Sequence, residues 1–237
     1  MISVIITSEN IRGNRITVDD KSDVNHLKNA FRVKIGEEIR AVDGEKEYIC
    51  EVADISKKEV VLEIKRTFED RYSLNTRIDA AIGILKNDKM DLTIQKLTEI
   101  GINKLIPLMT KRGVVKLSEK KDKWDLIVRE ALKQCQGVRP MVIDEITRLD
   151  KLDINGYDLV ILPYECEEEY TLKNLLGKQT GEIKKVLYII GPEGGFDIEE
   201  VQELKEKGAN AVTLGKRILR AETASIVVGG VLTNEFQ

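Results

Sequence analysis

The strongest local pattern in this chain is VLYIIGPEGGFDIEE, at residues 186–200. Its five leading apolar residues predict a buried strand, and Gly191 to Phe196 form a glycine-rich loop. Asp197, with Glu200 three residues later, is the capping-box pattern that begins a helix. Loops that follow strands in this way bind ligands in open α/β sheets. The loop matches neither G-x-G-x-x-G nor G-x-x-x-x-G-K-[ST], so from these residues alone a plain turn and a binding loop both stay open.

A second loop, LGKRILRAETA at residues 214–224, follows the next predicted strand and leads into the last predicted helix. Two consecutive strand ends therefore present loops to the same sheet edge, one glycine-rich and one cationic, which favours a pocket there. Ile218 and Leu219 could hold a flat ring, and Arg220 could face an anion. The alternatives are core packing for the apolar pair and plain surface charge for the arginine.

Apolar strands alternate with amphipathic helices from Arg77 onward, which predicts an α/β domain with a mostly parallel sheet. Before it, short strands with β-branched alternation predict a small β-barrel, interrupted by one helix at residues 26–32. The charged stretch from Arg66 to Asn75 is predicted to be the linker. The final helix, from Glu222, is apolar almost all round and should be buried against the sheet, another subunit, or both.

Composition narrows the possible functions. Among 237 residues, 42% are hydrophobic and 33% charged, and no apolar run approaches the roughly 20 residues that span a bilayer. The N-terminus has no signal-peptide pattern, so a cytoplasmic location is expected. Three cysteines without a C-x-x-C pair argue against a disulfide framework, and the single histidine argues against a multi-imidazole metal site or a Ser-His-Asp triad. No metal is expected.

The net charge of −3 hides an uneven distribution. Residues 1–70 carry −3, residues 71–150 carry +5 and residues 151–237 carry −5. Between Lys104 and Arg139 there are 10 basic and 4 acidic residues, which could supply a phosphate-facing surface. A solvated helix face is the alternative.

The two loops closely resemble the cofactor-binding elements of the RsmE family, which are SPOUT-superfamily methyltransferases. The resemblance covers nearly the whole chain. It includes Lys86, residues 89–91, 95–101, Pro107, Arg112, Glu130-Ala131 and Gln134-Cys135, and in the first domain His26 to Arg32, Gly36 and Asp43-Gly44. It implies a PUA-like β-barrel RNA-binding domain at residues 1–71. A SPOUT α/β domain with a deep trefoil knot would follow at residues 72–237.

The same resemblance implies the function: S-adenosylmethionine-dependent methylation of N3 of a uridine in 16S ribosomal RNA. Arg220 would face the developing uracil anion, and Glu193 or Glu222 would accept the proton. The implied cofactor-binding residues are Leu162, Pro163, Gly191, Pro192, Gly195, Leu214, Gly215, Ile218, Leu219 and Arg220. The implied RNA-binding residues are Arg12, Arg15, His26, Arg32, Lys86, Lys89, Arg112 and Arg139, where Arg12 or Arg15 stands in for an opening Arg-Phe pair that this chain lacks.

The implied partners are 16S rRNA or the small ribosomal subunit, and a second copy of the chain, paired through the knot region and the C-terminal helix. Two other functions stay open. One is a SPOUT methyltransferase for another rRNA or tRNA position; the other is a catalytically silent RNA-binding adaptor, which would need no cofactor.

Overall fold

The computed structural model describes all residues 1–237, which form two compact units. Unit 1 comprises Met1–Ser73 and Arg129–Pro140, and unit 2 comprises Leu74–Val128 and Met141–Gln237. Buried polar contacts join the late segment to the rest of unit 1. The guanidinium of Arg40 donates hydrogen bonds to the carbonyls of Gln136 (2.7 Å) and Gly137 (3.1 Å), and Lys133 pairs with the buried Asp23 at 2.7 Å. Arg40 also forms a buried ion pair with Glu47 at 2.5 Å.

Unit 1 contains a six-stranded mixed sheet in the order β1-β4-β5-β6-β3-β2. The strands β1 and β4 run parallel and the other neighbours antiparallel. The edge strands β1 and β2 do not pair with each other, so the predicted barrel is a half-barrel. The strands are β1 Ser3–Ile5, β2 Ile11–Arg12, β3 Arg15–Val18, β4 Glu38–Val42, β5 Lys46–Ile55 and β6 Val60–Glu69.

Two predictions for this unit need correction. Strand β6 runs to Glu69, which pairs with Lys46, so the first four of the ten residues predicted as linker belong to a strand. The predicted helix at residues 26–32 begins earlier, as α1 (Lys21–Asn25), and continues as a π-helical turn over His26–Ala30. Asp20 caps α1 by accepting a hydrogen bond from the backbone N–H of Asp23.

Unit 2 contains a seven-stranded sheet in which every pair is parallel, and this confirms the α/β prediction. Its order is β10-β8-β7-β12-β11-β13, and β9 also pairs with β8. The strands are β7 Arg77–Gly83, β8 Lys104–Met109, β9 Val142–Ile143, β10 Thr147–Arg148, β11 Leu159–Pro163, β12 Lys185–Ile190 and β13 Asn210–Val212. The helices are α2 Asp88–Glu99, α3 Asp122–Cys135, α4 Leu172–Gly177, α5 Ile198–Glu206 and α6 Ala221–Glu235. The last residues of α3, from Arg129 onward, belong to unit 1.

The core of unit 2 lies on both faces of this sheet, because alternate residues of a strand point to opposite sides. In β12, Tyr188 and Ile190 belong to one apolar cluster, while Leu187 and Ile189 belong to the other. A parallel sheet covered on both faces explains the unbroken apolar run at residues 186–190.

Helix α6 packs closely on the sheet because residue 229 is glycine. A Cβ there would lie 2.7 Å from Cδ1 of Ile100 and 3.1 Å from the buried hydroxyl of Tyr188. One side of the helix is buried, whereas Val227 and Val231 stay 41% exposed. No helix of the chain is both long and apolar enough to cross a membrane. The trefoil knot remains a prediction.

Candidate functional site

Three loops meet at the carboxyl end of the sheet in unit 2. Strands β12, β11 and β13 are neighbours, and the chain leaves them at Ile190, Pro163 and Val212. The loops surround a cavity of about 1040 Å³. Nine residues predicted to bind the cofactor line it: Pro163, Gly191, Pro192, Gly195, Leu214, Gly215, Ile218, Leu219 and Arg220. Leu162 does not, because it is fully buried in the core.

Two glycines, one beside the glycine-rich loop and one within it, leave no room for a side chain. A Cβ at Gly83, where β7 ends, would lie 2.5 Å from the backbone nitrogen of Pro192. A Cβ at Gly195 would lie 2.6 Å from Oε1 of Glu165, and Gly195 has a φ of +68°, which favours glycine. The N–H of Gly195 donates to the carbonyl of Pro192 at 2.9 Å, which closes a tight turn. Gly191 and Gly195 line the cavity, and because glycine has no side chain they present backbone to it.

The helix after this loop begins as predicted. The carboxylate of Asp197 accepts a hydrogen bond from the N–H of Glu199, and Glu200 accepts one from the N–H of Asp197 at 2.8 Å. Hydrogen bonding from the N–H of Glu199, together with nearby Arg112 and Lys111, lowers the pKa of Asp197. The capping box thus fixes where the loop ends.

One wall of the cavity is cationic. Lys216, Arg217 and Arg220 line it, and none of the three forms an ion pair or donates a side-chain hydrogen bond within the chain. Ile218 lies between them and is 85% exposed, an unusual exposure for a large apolar residue. Arg220 occupies the N-cap position of α6. These side chains are available to a ligand.

Another part of the lining is acidic, and it was not predicted from the sequence. Glu165, Glu167 and Glu168 line the cavity just after β11. Glu167 accepts hydrogen bonds from the N–H groups of Tyr170 and Glu169, which lower its pKa and hold the turn. The acidic run at residues 165–169 is visible in the sequence, and its position directly after a third strand end was the signal that could have identified it.

Glu193 ties the glycine-rich loop to the start of α2. Its Oε1 accepts hydrogen bonds from the backbone N–H of Lys86 at 3.0 Å and from Nζ of Lys89 at 3.3 Å. Burial raises the pKa of Glu193, but these hydrogen bonds and the Lys89 charge outweigh it and leave the pKa below its usual value. An ionised carboxylate that accepts hydrogen bonds from both Lys86 and Lys89 is well suited to hold the loop in place.

Glu222, in the first turn of α6, is placed differently. Its side chain is only 11% exposed, and Oε1 lies 3.9 Å from Nζ of Lys89. Its Oε2 is buried and has no hydrogen-bond partner. A buried carboxylate oxygen without a partner is costly, so Oε2 is an unused acceptor. Glu222 itself does not line the cavity, but its neighbours Ala221 and Ala224 do.

The residues predicted to bind RNA fall into three groups. Lys86 and Lys89 lie at the site and engage Glu193. Arg112 pairs with Asp197 at 3.3 Å, and Arg139 pairs with Asp70 at 3.1 Å. The remaining four, Arg12, Arg15, His26 and Arg32, lie in unit 1 at exposed positions without an ion pair.

The cysteines and the acidic residues form no further site. No group of three histidine, cysteine or acidic side chains could hold a metal ion. All three cysteines are free, and burial raises the pKa of the Cys50 thiol to about 12, so it is an inert core residue.

Comparison with known proteins identifies the class. A family model described as "RNA methyltransferase domain" matches residues 72–233, and one described as "RNA methyltransferase PUA domain" matches residues 18–65. The "Ribosomal RNA small subunit methyltransferase E" of Rickettsia conorii is 30% identical over 94% of this chain and 91% of its own length. The protein of that name from Aquifex aeolicus is 31% identical over 97% of this chain and 99% of its own length.

A solved structure agrees with these relatives. The Ribosomal RNA small subunit methyltransferase E from Neisseria gonorrhoeae, bound to S-adenosyl methionine, superposes with a TM-score of 0.85 at 27% identity, covering 99% of this chain and 97% of its own. The fold and the cavity thus belong to an RNA methyltransferase with an N-terminal PUA domain. Within that class, the chain belongs to the RsmE family, the ribosomal RNA small subunit methyltransferases E.

Proposed function

We propose that this protein transfers the methyl group of S-adenosylmethionine to N3 of a uridine in 16S ribosomal RNA. Its membership of the RsmE family gives the coarser activity, S-adenosylmethionine-dependent methylation of ribosomal RNA. The choice of the uridine N3 rests on the resemblance to that family. The observation that carries the proposal is the convergence of residues 191–196 and 214–220 on one cavity beside an unpartnered buried carboxylate.

S-adenosylmethionine is the cofactor, and the structure of a family member that holds it confirms this prediction. The cavity suits such a ligand: its volume is ample, one loop exposes backbone, and its walls carry opposite charges. We infer that Gly191, Gly195 and Gly215 admit the cofactor and that Ile218 and Leu219 cover its ring. When bound, the cofactor supplies an electrophilic methyl group.

The residues around the cavity would prepare the uridine for attack. Loss of the N3 proton spreads negative charge onto the uracil carbonyls, and Arg220, free of any acidic partner, can stabilise that charge. Glu222, next to the cavity-lining Ala221, has a carboxylate oxygen without a hydrogen-bond partner, so we assign it the proton. Glu193, engaged by Lys86 and Lys89, has the positioning role instead.

The proposal also covers the binding partners of the protein and its location in the cell. The exposed side of α6, with Val227 and Val231, would pair with a second copy of the chain. The RNA partner is the small-subunit rRNA, whose target uridine must be unstacked to reach the methyl group. Such a substrate places the protein in the cytoplasm.

The test is to delete the gene and map methylation of small-subunit rRNA by mass spectrometry. We expect the loss of one N3-methyluridine, restored by the intact gene but not by Arg220→Ala. Removing one transition-state donor typically lowers turnover by about 100-fold or more. The matched control is Arg148→Ala, an exposed arginine paired with Asp150, which should restore methylation. An unchanged methylation profile on deletion would refute the proposal.

A further inference from the structure

Unit 1 carries an exposed pair of stacked aromatic side chains. The rings of His26 and Phe31 stack with centroids 4.6 Å apart and an interplanar angle of 26°. Both residues are exposed, and Phe31 retains 48% of its accessible surface. One face of the phenyl ring is covered by the imidazole, so the pair offers a flat, preformed aromatic surface to the solvent.

The backbone builds this pair by an unusual device. The N–H of Phe31 donates to the carbonyl of His26 at 3.0 Å, five residues back, which is the π-helical hydrogen bond. This wider turn brings residues five apart onto one face, whereas an α-helix brings together residues three or four apart. Short π-helical turns are rare and occur frequently at functional sites.

The next residue departs from regular geometry as well. Arg32 has a φ of +55°, in the left-handed region that non-glycine residues seldom adopt. Its guanidinium forms no ion pair or hydrogen bond within the chain, although many other arginines of the chain do. A strained backbone next to an exposed, unpaired cation is a combination that functional sites show.

The local charge favours an anionic partner. Residues 26–36 include Lys28, Arg32 and Lys34 but no aspartate or glutamate. Lys28 is engaged by the carbonyl of Ser56, which leaves Arg32 and Lys34 to meet a phosphate. Aromatic rings beside cations are how proteins hold single-stranded nucleic acid: the bases stack and the cations neutralise the backbone.

We propose that His26 and Phe31 form a stacking platform for one unpaired base of the RNA substrate, with Arg32 against the adjacent phosphate. The inference deepens the proposed function and rests on it, because it assumes that the partner is RNA. Recognition by stacking tolerates any base, since each has a π-face, so the platform would hold the RNA and leave the choice of uridine to the cavity of unit 2.

The test measures RNA binding without chemistry, using the full chain and small-subunit rRNA, both naked and assembled into the subunit. Phe31→Ala and Phe31→Leu should each weaken binding by about 5-fold to 150-fold, the range for losing one base–aromatic stack. Phe31→Trp should retain the affinity. A base stacked on the new indole should also quench its fluorescence. The native Trp124 is buried, so RNA should not change its fluorescence. Leu126→Ala, which alters another exposed apolar residue, should bind like the wild type.

Each of the following results would overturn the proposed stacking platform. Binding by Phe31→Ala within twofold of wild type would remove Phe31 from the interface. Full affinity in Phe31→Leu would show an apolar contact without stacking. A changed oligomeric state with unchanged RNA affinity would assign the pair to a contact between proteins, and absence of wild-type binding to either form of the RNA would also overturn it.

Failure of the platform can be told apart from failure of the proposed function. The methylation map depends on the cavity of unit 2, whereas the binding measurement with Phe31 variants involves no methyl transfer. If the gene restores N3-methyluridine while Phe31→Ala binds RNA normally, only the platform is wrong. Because Phe31 is exposed, the variants should melt like the wild type, and this checks that they are folded.

Discussion

At the scale of single residues, the cavity depends on the missing side chain of Gly195. We predict that Gly195→Val lowers the affinity for S-adenosylmethionine at least 10-fold, about 1.4 kcal/mol. Two causes act together: the new Cβ would meet Oε1 of Glu165, and valine at a φ of +68° is strained by about 1–2 kcal/mol. Titration calorimetry measures the affinity, and urea unfolding measures the free energy of unfolding.

Gly208→Val separates the two causes. Gly208 also has a positive φ, +105°, but nothing lies within 4 Å of the position that a Cβ would occupy. This variant should lose free energy of unfolding through backbone strain alone and keep the cofactor affinity. If Gly195→Val bound the cofactor as tightly as wild type, the glycine-rich loop would not be the binding site.

At the scale of elements, the sequence predicted what long periodic patterns specify. The strand at residues 186–190, the capping box and the two loops are local features, and the structure has them where the pattern indicated. Strands β9 and β10 have two residues each, too few for a period to be visible. The placement of residues 129–140 in unit 1 depends on hydrogen bonds from Arg40, nearly one hundred residues earlier, which no local pattern contains.

The candidate site could likewise be predicted from the sequence only where its residues form a distinctive local pattern. The loops after β12 and β13 carry distinctive glycines and cations, whereas the acidic wall at Glu165 to Glu168 resembles any solvated acidic run. The sequence left Glu193 and Glu222 equivalent as proton acceptors. The hydrogen bonds of Lys86 and Lys89 to Glu193, and the buried, unpartnered Oε2 of Glu222, distinguish the two carboxylates.

The start of α5 gives a prediction about an element. Asp197→Ala should lower the melting temperature, because the first backbone N–H groups of the helix lose their acceptor. Asp197→Asn should fall between Asp197→Ala and wild type, since asparagine also caps a helix but does not pair with Arg112. Calorimetric melting curves of the three proteins test this order.

The acid dependence of these melting temperatures follows from the lowered pKa of Asp197. A carboxylate with a depressed folded-state pKa stabilises the protein above its ordinary pKa, and that stabilisation is lost as the pH falls through the depressed value. The difference between wild type and Asp197→Asn should therefore be full at neutral pH and vanish in acid, below the usual value of 3.8. A difference that does not change with pH would assign the effect to something other than the charge.

At the scale of the whole molecule, the net charge of −3 is a poor guide to the partner. What matters is which cations have an acidic neighbour. Arg112 and Arg139, from the most basic segment, are paired with carboxylates, whereas Arg12, Arg15 and Arg32, from a segment of net −3, are unpaired. Charge along the chain is most positive between Lys104 and Arg139, and pairing in three dimensions reverses part of that ranking.

Arg12 and Arg15 face each other across the β2–β3 hairpin. Like charges directly opposite in a sheet are destabilising, and the nearest cross-strand acid, Glu63, is taken by Lys65 at 3.0 Å. Such an arrangement is stabilised by an anion, and a phosphate of the RNA backbone would supply one. We therefore expect rRNA binding to weaken as salt rises, despite the negative net charge, because each neutralised phosphate releases counterions.

The slope of log affinity against log salt makes this quantitative. Arg12→Gln and Arg15→Gln should each reduce the slope by about 0.7 to 1, the contribution of one phosphate contact. Arg148→Gln should leave it unchanged, because that exposed arginine already pairs with Asp150. Equal slopes for all four proteins would place the phosphate contacts elsewhere. A larger effect of Arg148→Gln than of Arg12→Gln would show that unpaired cations do not determine where the RNA binds.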